Sequence, residues 1–73
     1  MNQLREVREA TGRSVAGLAR ITGLSRQAIY ALEEGRSEGN LETWIKLANA
    51  MDTPVEELSG RAFEGLNEYA GKA

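Results

Sequence analysis

The side chains that most often do chemistry are scarce or badly placed in this sequence. Its 73 residues include no cysteine and no histidine. That removes thiol nucleophiles, disulfides, thiolate metal sites, most zinc sites and the usual general base. Carboxylates come as neighbours, Glu33 with Glu34 and Glu56 with Glu57. Adjacent side chains on a helix diverge by about 100°, so neither pair can converge on one substrate as acid and base. Gly12, Gly17, Gly23 and Gly35 follow no strand and form no phosphate-cradling loop. The residue inventory argues against an enzyme and calls for no metal or cofactor. What is left is recognition by hydrogen-bonding and charged groups.

The elements that position such groups must be small. A chain of this length makes one domain with one core, since about 60 residues bury only about 60% of their unfolded surface. Its apolar runs fall far short of the roughly 18 residues that span a bilayer, and MNQLREVREA has no signal-peptide centre. An intracellular, cytoplasmic protein with no membrane partner is expected. The net charge of −2 hides an asymmetry. Residues 1–36 carry six basic side chains against four acidic ones, a balance of +2, whereas residues 37–73 carry three against seven, or −4. A polyanion has a docking face only on the first half.

Glycines and capping residues cut the chain into short helices, and no stretch alternates in the manner of a strand, so the fold class is all-α. Leu4, Val7 and Ala10 line a first helix closed by Gly12. Ser14 caps a second with Val15, Leu18, Ala19 and Thr22 inward, ended by Gly23. Ser25 caps a third that buries Ala28, Ile29 and Leu32 and closes at Gly35. After a polar loop, Asn40 caps a fourth helix from Leu41 to about Met51, with Leu41, Trp44, Ala48 and Met51 as its core stripe and Leu47 and Ile45 on its flanks. Thr53 is expected to cap a fifth, with Pro54 in its first turn and Glu56 closing a capping box. Beyond Gly60, Phe63, Leu66 and Tyr69 have the spacing of a short sixth helix, which Gly65 and Gly71 weaken. Residues 1–58 then form the domain, and 59–73 a tail suited to self-association.

The informative stretch is VAGLARITGLSRQAIYALEE, from Val15 to Glu34. Two short helices meet at a tight turn on Gly23, small Ala19 permits close approach, and Leu18, Leu24, Ile29 and Leu32 form the wedge between them. This is the recipe of a helix-turn-helix, whose second helix stands proud to enter a major groove.

From Leu4 to Leu58 the chain resembles the phage repressor and Cro family of helix-turn-helix DNA-binding domains, the XRE-like group. The match runs through Leu4, Arg8, Gly12, Ser14, Leu18, Ala19, Gly23, Ser25, Ile29, Glu33 and Gly35, and continues through Leu41, Leu47, Ala48, Met51, Val55 and Leu58, without insertion or deletion. The resemblance implies a compact five-helix, repressor-like domain. It places Ser25, Arg26 and Gln27 at the start of the recognition helix, with Tyr30 and Ala31 one turn further along. A guanidinium can bond guanine O6 and N7 together, and a carboxamide can match adenine N6 and N7. Arg26, Gln27, Tyr30 and Ala31 are therefore the expected base-reading residues, Tyr30 being equally readable as a partly buried aromatic. Arg13, Ser14, Ser25 and Arg36 are the expected phosphate contacts, the two serines doubling as caps. Arg8 and Glu33 match an ion pair between the first and third helices.

Three departures bear on affinity. Val15 stands where the family often has a glutamine that touches the DNA backbone. Glu34 replaces a frequent asparagine and aims a negative charge toward phosphates, and the loop Arg36-Ser37-Glu38-Gly39 is less basic than is usual. The implied function is sequence-specific, non-enzymatic regulation of transcription by a repressor of phage or mobile-element type. It would act as a homodimer on a palindromic operator in double-stranded DNA. The alternative keeps the fold but binds a protein partner, as an antirepressor or antitoxin-type component would.

Overall fold

The computed structural model describes residues 2–61. Five helices follow one another, α1 (Leu4–Ala10), α2 (Val15–Thr22), α3 (Arg26–Glu33), α4 (Leu41–Ala50) and α5 (Val55–Ser59), with no strand among the described residues. None is long and apolar enough to cross a membrane. The expected sixth helix at Phe63, Leu66 and Tyr69 lies outside the described residues.

Local chemistry explains most of the boundaries. The Ser14, Ser25 and Asn40 side chains each accept the amide hydrogen three residues ahead, at 3.0, 3.0 and 2.8 Å, satisfying donors that no helical carbonyl reaches. Apolar residues at helical spacing then supply the packing. α4 lies against α2 and α5, α2 against α3, and α1 against α3 and α5. Trp44, Leu4, Leu18, Ile29, Leu47 and Leu58 are fully buried at the centre. Each such side chain contributes about 1.5–3 kcal/mol, a large share of the margin of so small a domain. Trp44 has a polar handle, and its indole Nε1 donates to the Glu38 carbonyl at 2.8 Å, tying α4 to the loop before it.

Several local expectations change. Ala10 is exposed rather than turned inward, and Leu41 is only half-buried, outside the core cluster. Leu47 is not a flanking residue of α4 but one of its most buried, because α2 and α5 pack on α4 together and widen its apolar face beyond one stripe. Thr53 does not cap α5, and no capping box forms there. Its amide donates to the Ala48 carbonyl at 3.0 Å and its hydroxyl to the Met51 carbonyl at 3.0 Å, so Thr53 completes the end of α4. Asp52 turns the chain there with φ of 50°. Pro54 takes the N-cap place instead, and its carbonyl accepts from the Leu58 amide at 3.0 Å.

Candidate nucleic-acid interface

α2 and α3 are joined by three residues, Gly23 to Ser25. Gly23 adopts φ of 79° and its amide donates to the Ala19 carbonyl at 2.9 Å. Thr22 stitches the same turn from its side chain, donating to the Leu18 carbonyl at 2.8 Å and accepting from the Leu24 amide at 3.2 Å. Half-buried Ala19 and Leu24 pack against the core cluster that holds Leu18, Ile29 and Leu32. The wedge fixes the angle between the helices by packing rather than by the turn alone.

Its other attachment is ionic. Arg8 Nε donates to Glu33 Oε2 at 2.6 Å and Nη2 to Oε1 at 3.3 Å, while Arg5 Nε reaches Oε1 at 3.4 Å. The Glu33 side chain is fully buried and that of Arg8 only 13% exposed. The hydrogen bond to Glu33 raises the Arg8 guanidinium above its already high range, against the opposing pull of desolvation. Asn2 adds a second tie, its Nδ2 donating to the Leu32 carbonyl at 2.8 Å while its Oδ1 accepts from the Leu4 amide at 3.0 Å. One end of α3 is thus clamped to α1, and its opposite end projects.

The projecting end carries Arg26 and Gln27, both exposed, with Tyr30 one turn on at 44% exposure. Gln27, Tyr30, Glu34 and Arg36 line a shallow depression along this side. Arg36 Nε donates to Glu34 Oε1 at 2.8 Å, between two exposed side chains. Arg13, Arg20 and Arg26 make no ion pair among the described residues, where there is also no cluster of carboxylates able to hold a metal. The surface carries exposed hydrogen-bond donors.

A family model described as helix-turn-helix matches residues 4–58. The chain belongs to the helix-turn-helix family, in its XRE-like group. It is also similar to a protein of Methanocaldococcus jannaschii named as an HTH-type transcriptional regulatory protein, 40% identical over 52 residues. Those residues are 71% of this chain and 16% of that protein, so the chain spans a small part of its relative's length.

Within this helix-turn-helix domain the structure brings Arg26, Gln27 and Tyr30 to one exposed side, with Ala31 half-buried beside them. Ser14 and Ser25 act as caps through their oxygens, which leaves each hydroxyl hydrogen free to donate. Arg13 is exposed, and its carbonyl accepts from Arg8 Nη1 at 3.1 Å, which fixes the backbone that carries it. Val15 is buried in the core, so this residue serves packing. Sequence reasoning missed Asn2 and Arg5. Asn2 carries a signal, an oxygen-bearing side chain two residues before a helix, and Arg5 lies three residues before Arg8 on the same helical face.

Proposed function

We propose that this chain is the DNA-reading part of a sequence-specific transcriptional regulator. The observation that carries the reading is the exposure of Arg26 and Gln27 on the free end of a helix whose other end is clamped by Arg8, Glu33 and Asn2. A rigidly held helix that presents a guanidinium and a carboxamide is suited to bidentate contacts in a major groove. Arg13, Ser14, Ser25 and Arg36 are assigned as phosphate ligands that set register without reading sequence. Such a domain binds rather than catalyses, and acts in the cytoplasm beside the DNA.

The finer reading follows the family resemblance. A repressor of phage or mobile-element type, acting as a homodimer, places two copies of α3 in successive major grooves of a palindromic operator with half-sites about 34 Å apart. Residues 1–58 supply the reading domain and 59–73 the tail that supports self-association.

Selection of bound duplexes from a random pool at low and at moderate salt tests the proposal. An enriched, two-fold symmetric sequence retained at moderate salt is expected. Salt-labile retention with no enriched sequence overturns it in favour of a protein partner.

A further inference from the structure

Three helices end with the same backbone arrangement, and one of these ends sets up an ionic contact at the interface. After α3, Gly35 takes φ of 77°, its amide donates to the Leu32 carbonyl at 3.2 Å, and the Arg36 amide donates to the Ala31 carbonyl at 2.9 Å. This crossed pair of bonds folds the chain back on the last turn. It therefore fixes the Arg36 backbone beside Glu34, the helix's capping residue, and the side chains meet at 2.8 Å. After α1 the same bonds place Arg13, through Gly12 to Glu9 and Arg13 to Arg8, at 3.1 Å each. Arg13 has no acidic partner among the described residues. Two arginines thus occupy equivalent stations, one bare and one covered.

We propose that Glu34 masks Arg36, converting a phosphate ligand into a weak one and leaving the interface dependent on its base contacts. The inference rests on the DNA-binding reading above. Arg36 and Glu34 both line the depression that holds Gln27 and Tyr30, so the pair stands beside the base-reading side chains. An exposed ion pair is weak enough for a phosphate to displace. Displacement, however, leaves the Glu34 carboxylate facing the DNA backbone with no cation beside it. The gain from a new phosphate contact is then offset by like-charge repulsion, whatever the base sequence. Removing the carboxylate while keeping its shape releases Arg36 for one further phosphate.

The test is a titration of the full chain and of Glu34→Gln, Arg36→Ala and the double variant, with fluorescent duplexes, across a salt series. Circular dichroism checks that each variant keeps its helix content. Glu34→Gln is expected to tighten binding to every duplex about fivefold to tenfold near 0.1 M salt, and to steepen the slope of log affinity against log salt by about one unit. Arg36→Ala is expected to weaken binding by a smaller factor in the native chain than in the Glu34→Gln background, where it removes most of the gain. If Arg36→Ala weakens binding equally in both backgrounds, Arg36 was never masked and the proposal is wrong. Equivalently, a Glu34→Gln gain of the same size with and without Arg36 overturns the proposal, since the carboxylate then acts only by repulsion. Failure of all four proteins to bind any duplex removes the DNA-binding reading itself, an outcome distinct from either.

Discussion

Glu33 is a buried carboxylate whose charge is met by two guanidiniums, and its removal or exposure decides how firmly α3 is held. Arg8→Ala leaves that carboxylate with Arg5 alone at 3.4 Å, and the expected loss is about 2–4 kcal/mol, below the full penalty of an orphaned buried charge. Urea unfolding checks this, and a double-mutant cycle with Glu33→Gln should show coupling above about 1 kcal/mol. Because Glu33 raises the Arg8 pKa, the arginine's contribution is present throughout the neutral range and is lost only when pH climbs past the ordinary guanidinium value. No loss of stability between neutral and mildly alkaline pH should trace to this pair. Gly39 sets a different kind of limit. A Cβ there would lie 2.8 Å from Leu32 Cδ2 and 2.9 Å from Trp44 Nε1, on a backbone with φ of 69°. At Gly35 the backbone is similar but the space is open. Gly35→Ala should cost about 1–2 kcal/mol from conformation alone. Gly39→Ala should cost distinctly more, and Trp44 fluorescence should report it, because Leu32 and the indole are both packed into the core.

At the scale of elements, α3 does the reading and the groups around it do the placing, which gives separable phenotypes. Alanine at Arg26 or Gln27 should cost about 1–3 kcal/mol on the preferred site and relax choice at one base position, with folding intact. Arg13→Ala should instead weaken all duplexes alike and flatten the salt dependence. Competition binding with single-base variants of the selected site distinguishes the two. Unchanged preference and affinity in both recognition-helix variants would mean that α3 does not enter the groove. The elements themselves were largely legible because Ser14, Ser25, Asn40 and the glycines after α1, α2 and α3 act within four residues of themselves. Thr53 was misread for a related reason. A threonine between two helices can serve either, and the choice fell to α4 because Asp52 turned the chain far enough for the Thr53 amide to reach Ala48. Asn2 and Arg5 carry only local signals in the sequence, because their partners, Leu32 and Glu33, lie about thirty residues away and are brought close only by the packing of α1 on α3.

On the scale of the whole molecule, charge partition should govern how this domain meets DNA. The positive balance of residues 1–36 was readable from the sequence, but which of its charges are available was not. Arg5 and Arg8 are engaged by Glu33, and Arg36 by Glu34, so Arg13, Arg20 and Arg26 are left as exposed cations without an ionic partner among the described residues. Glu42, Asp52, Glu56 and Glu57 are exposed on and between α4 and α5, the elements that do not carry the reading groups. For one copy on a half-site duplex, two or three phosphate contacts correspond to a slope of log affinity against log salt of roughly −2 to −3, and to a loss of about 10- to 40-fold between 50 and 200 mM salt. That is much shallower than the loss of a strongly basic DNA-binding protein with six or more contacts. Anisotropy titrations at several salt concentrations measure the slope directly. The position of the negative charge can be tested in the same experiment by reversing Glu56 and Glu57 to lysine. If α5 faces away from the duplex, affinity should rise modestly through the long-range field, which salt screens over about 10 Å, while the slope stays near its original value. A slope steepened by two units would mean that the new lysines touch phosphates, and that the domain docks through its second half rather than through α3.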